Sequence, residues 1–155
     1  MIINRCVEQG IYVTLILALE HEHKPLRSRV LSSILSVSDS YLKKILRKLV
    51  IAGIIVSSPG KDGGFQLSRS VEEISVYDVY SALEGESCDI KMSGIGSRIF
   101  IYGSNFSDGE KKVVSIFDKA NEAFCDELRN LRLSELLNRV NYKYGTIDFE
   151  SVLKK

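Results

Sequence analysis

Lys43, Lys44, Arg47 and Lys48 crowd into six consecutive positions, and a turn holding Gly60, Lys61, Gly63 and Gly64 follows soon after. Cations at that density neutralise phosphates and release the counterions condensed on a nucleic-acid backbone. The concentration is local. Residues 24–69 hold nine basic side chains (Lys24, Arg27, Arg29, Lys43, Lys44, Arg47, Lys48, Lys61 and Arg69) and two acids, Asp39 and Asp62. That is a net of +7 in a chain whose total is +1, so the remainder carries −6. Such a bias is the electrostatic footprint of a phosphate-binding surface. A solvated helix face and an ordinary hairpin tip carry similar residues, so charge alone does not decide. A nucleotide-binding phosphate loop does not fit, because Ile55 stands where its first glycine is needed and Asp62 follows Lys61.

Other chemistries find less support. No Ser/His/Asp or Cys/His grouping and no paired carboxylates stand in a suggestive frame, which argues against an enzyme. Cys6, Cys88 and Cys125 are far apart, an odd and sparse set that suits reduced thiols better than a disulfide framework. No CxxC or HxxxH spacing occurs, and His21 and His23 stand apart from the cysteines, so no metal site is expected. No apolar run approaches the ~18 residues of a membrane span. The first residues run into charge at once, unlike a secretory leader. A cytoplasmic protein is expected.

Several elements are needed to position the cations. Asn4 can cap a helix running to about residue 20, with Pro25 beyond its end, and a second helix spans about 27–35. After the break Ser36-Val37-Ser38, Ser38 is a good N-cap for a third helix over about 39–52, and Asp39 suits its positive end. There Leu42, Ile45, Leu46 and Leu49 form one inward stripe, leaving Ser40, Lys43, Lys44, Arg47 and Lys48 on the other faces. Gly53 can end that helix in a left-handed cap. Residues 54–57 and 65–68 read as strands of a hairpin whose long tip, 58–64, is dense in turn formers. The tip glycines permit close approach to DNA.

Ser75 to Asp78 opens another helix with a capping-box pattern, and Gly85 ends it. Residues 86–107 yield no firm assignment beyond an apolar island at 99–102. Ser107 to Glu110 forms a second capping box, which predicts a long helix to about Arg132. Its stripe of Val113, Phe117, Ala120, Phe124, Leu128 and Leu131 is too long for a small domain to cover alone and is expected to pair with a second copy. A short helix at 134–137 and a tail from Asn141 complete the chain. The order of helix, tight turn, basic helix and glycine-rich hairpin predicts a winged helix-turn-helix: a mainly α fold with a small β-hairpin wing and a long C-terminal dimerisation helix. The expected division is a DNA-binding domain at 1–85 and a sensor loop with dimerisation helix and tail at 86–155.

Residues 36–85 resemble the Rrf2 family of bacterial transcription regulators. The resemblance rests on Ser40-Tyr41-Leu42, on Ala52-Gly53, on the serine before the wing and on Gly63-Gly64-Phe65 with Leu67. It rests also on the pattern from Ile74 to Glu84, in which Ser75, Val76, Asp78, Val79 and Ala82 match. It covers about residues 1–85 well, and 131–138 is similar to the end of the family's dimerisation helix. It implies a homodimer with crossing C-terminal helices that reads a partly palindromic operator, usually as a repressor. By position, Ser40, Lys43 and Lys44 match the base-reading surface and the wing matches a minor-groove contact. Ser38, Tyr41, Arg47, Lys48, Gly60 and Lys61 complete the expected DNA-binding set.

Two departures follow. Pro59 stands where family wings carry an arginine, leaving Lys61 as the minor-groove cation. Iron–sulfur members carry three cysteines in the loop before the dimer helix, whereas residues 86–107 hold Cys88 alone, with Met92, Arg98 and Ser104 near the other expected positions. A cluster takes several thiolates, so no cofactor is expected. Cys88 is left as a candidate one-thiol redox sensor or an ordinary loop cysteine, and a small-molecule or protein effector stays open. The alternative function is a winged-helix adaptor that binds protein without specific DNA recognition.

Overall fold

Asn4 decides where the first helix starts. In the computed structural model, which describes residues 3–85, 93, 95 and 105–153 (side chains of 105–107 excepted), its side chain accepts from the Cys6 amide at 3.2 Å. Helix α1 then runs over Arg5–Leu19 and sinks Val7, Val13, Leu17 and Ala18 into the core. Helices α2, Ser28–Ile34, and α3, Asp39–Ile51, are joined by the expected turn, in which Ser36 adopts a left-handed φ of 53°. The Ser38 hydroxyl caps α3 by accepting from the Tyr41 amide at 3.3 Å, and Gly53 closes the helix with a φ of 67°.

Strands β1, Ile55–Ser57, and β2, Phe65–Leu67, pair antiparallel with Ile55 opposite Leu67 and Ser57 opposite Phe65. On its other edge β2 exchanges two hydrogen bonds with Leu26, at 2.9 and 2.8 Å, which fastens the wing to the entrance of α2. Helix α4, Val76–Glu84, carries the expected capping box. The Ser75 amide donates to Asp78 Oδ2 at 2.7 Å, and the Asp78 amide to Ser75 Oγ at 3.1 Å.

Helix α5 spans Asn105–Asn130, 26 residues or roughly 39 Å of axis. It begins two residues before the expected capping box, so Ser107 to Glu110 lie inside it. Gly109 within a helix costs only about 1 kcal/mol relative to alanine, which does not stop it. Cys88, Met92, Arg98, Ser104 and the apolar island at 99–102 lie outside the described residues.

The chain then returns to the winged body. The Leu133 amide donates to the Ile74 carbonyl at 2.9 Å, and Leu133 is fully buried at the head of a short 3-10 turn, Leu133–Leu136. The expected tail is folded instead. Helices α6, Arg139–Tyr144, and α7, Phe149–Val152, dock beside the end of α1. The His21 amide donates to the Ile147 carbonyl at 2.8 Å, and the Ile147 amide to the Leu19 carbonyl at 3.0 Å. Tyr142 and Phe149 pack on the core. The tail gave little sign of this, since its helices are too short to show a period.

One core joins all of this. Leu31, Leu42, Leu46, Leu49, Ile55, Ile74, Val79 and Leu133 have essentially no exposed surface. Each such side chain contributes about 1.5–3 kcal/mol by burial, so α3 is held rigidly from its inner side. Among the described residues no helix is long and apolar enough to cross a membrane.

Candidate nucleic-acid interface

The same stripe that buries α3 fixes what it presents outward. Leu42, Ile45, Leu46 and Leu49 point into the core, and Ser40, Lys43, Lys44 and Arg47, spaced three and four apart on the reverse face, are exposed. Lys43 is committed locally, with its Nζ 2.7 Å from Asp39 Oδ2. The hydrogen bond from Lys43 in turn holds the Asp39 carboxyl below the usual range. Lys44 and Arg47 form no salt bridge among the described residues, which leaves their charge available.

Lys48 stands apart from this set. Its Nζ donates to the Leu83 carbonyl at 2.6 Å, satisfying an orphan acceptor at the negative end of α4. It ties α3 to α4, although it is solvent-exposed like Lys44 one turn earlier. Tyr41 lies on the same flank, partly exposed, and Ser38 spends its hydroxyl on the cap.

The wing tip is solvent-exposed from Ser58 to Asp62. Its glycines have different reasons. A Cβ on Gly63 would fall on the Ser58 carbonyl oxygen, and one on Gly64 on the Leu26 backbone. Both glycines are therefore demanded by closure of the hairpin and its seam with Leu26, not by approach to DNA. Gly60 has open space around it and a φ of +104°, a turn conformation that favours glycine. Arg27 donates from Nη2 to the Lys61 carbonyl and so steadies the tip. Nothing at the sequence level pointed to Arg27 beyond its place in the basic segment, because the partner lies 34 residues away.

Behind the winged body, α5 leaves an apolar face open. Ile116 is 67% exposed and Phe117 55%, with Val113 and Ala120 also exposed. Farther along, Phe124 meets the Tyr80 ring edge-on at 5.5 Å, Leu128 packs on the core, Cys125 is buried and Arg129 lies 4.0 Å over the Tyr77 ring. The C-terminal half of the expected stripe thus packs on the winged body, and the N-terminal half has no cover among the described residues. Leu131 is partly exposed at the helix exit.

The sequence profile of the Rrf2 family, described as an iron-dependent transcriptional regulator, matches residues 3–139. The chain belongs to the Rrf2 family. A relative from Lactococcus lactis that bears the name HTH-type transcriptional regulator YffB is 36% identical over 138 residues, covering 89% of this chain and 88% of the relative. CymR of Bacillus subtilis, the global cysteine regulator, superposes with a TM-score of 0.62 at 19% identity, over 88% of this chain and 95% of that one. The oxidised form of Staphylococcus aureus CymR gives 0.61 at 26% identity, again over 88% and 95%. As a member of this family the chain is a winged helix-turn-helix transcription regulator that binds DNA, and not an enzyme.

The family description raises iron, and the donors described here do not fit it. Among the described residues no group of three or more His, Cys, Asp or Glu side chains converges. Cys6 donates from Sγ to Glu84 Oε1 at 3.1 Å, and burial, followed by that hydrogen bond and the Glu84 charge, pushes its thiol up, away from the thiolate a metal takes. Cys125 is buried inside the protomer. The candidate sensor Cys88 lies outside the described residues.

Proposed function

We propose that the chain acts in the cytoplasm as a homodimer that reads a partly palindromic operator, as a repressor, with α3 in the major groove and the wing, residues 58–64, at the minor groove. The observation that carries this reading is the outer face of α3, where Ser40, Lys43, Lys44 and Arg47 stand exposed on a helix whose reverse is core. A helix so held can enter a groove without unfolding anything, and its N-terminal side chains reach base edges. Lys61 at the wing tip and the basic segment around it supply phosphate contacts.

The open face of α5 supplies the second half. Two copies meeting there bury Ile116 and Phe117 on each side, and a two-fold axis repeats the α3 surface. A palindromic site needs that repeat at about 34–36 Å. The regulator works without an iron–sulfur cluster, since residues 86–104 hold one cysteine. Residues 1–85 form the DNA-binding unit, and residues 86–155 carry the loop, the dimer helix and a terminal segment that docks back onto that unit. Its signal is a small-molecule or protein effector.

Selection of bound fragments from a genomic library by the purified, iron-free protein tests the reading. Enrichment of a two-fold symmetric motif is expected, from a colourless protein lacking the visible absorption of a cluster. Binding with no sequence preference would favour the adaptor, and binding that appears only after anaerobic iron–sulfur reconstitution would overturn the cluster-free reading.

A further inference from the structure

Between β2 and α6 lies an open cavity of about 590 Å³, within the range of small-ligand sites. We propose that it binds a small organic anion, a carboxylate or phosphate on an apolar body, whose occupancy sets the position of the wing.

Charge is the first reason. Arg69, from the segment after β2, lines the cavity together with Arg139 and Lys143 of α6 and with His23. The acid on its wall, Glu72, already accepts from the Tyr142 hydroxyl at 2.7 Å. Arg139 and Lys143 stand four apart on a six-residue helix and form no salt bridge among the described residues. Like charges at that spacing weaken a helix, and an anion lying between them reverses the sign. Arg69 is half-used. Its Nη2 is 3.4 Å from Asp78 Oδ1, in a carboxylate that also accepts from the Ser75 amide and hydroxyl, and its Nε has no acceptor among the described residues. A guanidinium in that state can turn its fork to an incoming carboxylate or phosphate.

The floor is the second reason. Leu17, Ala18 and Val71 come from the core, so a ligand with an apolar body buries it beneath its charged group. The neighbouring cavity of about 580 Å³ is mixed in charge, with Lys24, Arg27 and Lys61 set against Glu20, Asp62, Asp148 and Glu150, so it lacks the cationic excess of this one. The third reason is position. Gln66, Leu67 and Ser68 line the anion cavity and belong to, or directly follow, the strand that leads out of the wing tip. A ligand bonded to both α6 and this strand ties the terminal segment to the wing.

The inference deepens the regulator reading and rests on it for its consequence, while binding itself is measured without DNA. The protein is titrated with inorganic phosphate, citrate and benzoate and followed by thermal shift and calorimetry. A saturable stabilisation by citrate or benzoate, beyond that by phosphate, is expected. Arg139→Gln with Lys143→Gln, and separately Arg69→Gln, should weaken it about tenfold or more, the scale of one lost charge-assisted hydrogen bond. The unliganded double variant should melt no lower than the parent and bind operator like the parent, but operator affinity should no longer respond to the anion. No saturable response to any of the three probes, or an equal response in the variants, overturns the proposal. So does a double variant that loses affinity for operator and random DNA alike, since its cations then serve the DNA backbone. A parent that binds the anion but selects no DNA leaves the site standing and removes the regulator reading instead.

Discussion

Helix α3 exposes one face and the first half of α5 nearly all of its faces, and the rows of side chains they present are opposites. On α3 the row is Ser40, Lys43, Lys44 and Arg47, while the first half of α5, among exposed charges such as Lys112 and Asp118, presents the apolar row Val113, Ile116, Phe117 and Ala120. An exposed lysine face costs little in water, and its release of counterions makes it useful only against a polyanion. An exposed apolar face is unfavourable in water and is relieved by any complementary apolar surface. On the proposed reading, one helix offers a charged partner a reason to come, and the other offers a second copy a reason to stay. The difference lies in the side chains, since both helices show the same three- and four-residue periodicity.

The sharpest way to break this contrast is to give α5 the character of α3. Ile116→Asp with Phe117→Asp should leave the fold intact, yield monomers in sedimentation and reduce operator affinity about a thousandfold, because two half-sites no longer act as one. This pair is a cleaner probe than Phe124, whose ring also packs on Tyr80. A variant that stays dimeric would place the interface elsewhere.

Salt should separate the two faces next. With roughly four or more phosphates neutralised, operator affinity should fall on the order of a hundredfold between about 50 and 200 mM salt. The dimer, held by apolar burial, should persist over the same range in sedimentation. A flat DNA response would remove the electrostatic account of α3.

Within α3, position should matter more than charge. Lys44→Ala and Arg47→Ala should each cost about 1–3 kcal/mol in binding to the selected site. Lys48→Ala should leave discrimination unchanged and lower thermal stability by about 1 kcal/mol, as the bond to the Leu83 carbonyl is lost. Equal losses of operator binding in all three would mean that Lys48 leaves α4 when DNA arrives.

The smallest effect is expected at Asp39. Asp39→Asn frees Lys43 and removes a negative charge near the backbone, so DNA affinity should rise roughly threefold, the scale of a surface pair. The folded-state pKa of Asp39 is lowered by Lys43, so its contribution to stability is present at neutral pH and lost as pH falls through that lowered value. The variant should lose this part of the acid dependence in thermal melts across pH 2–5.

Much of the fold was legible because its signals are local. Ser38 and Ser75 are caps, Gly53 carries a positive φ, and the stripe of Leu42, Ile45, Leu46 and Leu49 is buried, each readable from a few neighbouring residues. The candidate site was legible by segment and less so by residue. Lys48 has the same type and neighbourhood as Lys44, yet α4 claims it. Gly63 and Gly64 look like tip glycines made for a ligand, yet backbone packing requires them.

The sequence by itself determined the order of the elements, the buried side of each helix and the sign of the charge on α3, because periodicity, capping and composition act within a few residues. Tertiary structure decided which cations remain free, why the wing contains its glycines and where the chain's end goes. Glu20 accepts from the Phe149 amide across 129 residues, and Arg27 reaches Lys61 across 34. Partners that far apart leave no spacing to read. They meet only after α1, the hairpin and the terminal helices have packed on one core, and that packing turns a row of similar lysines into one that binds a carbonyl, one that binds a carboxylate and one in no ion pair among the described residues.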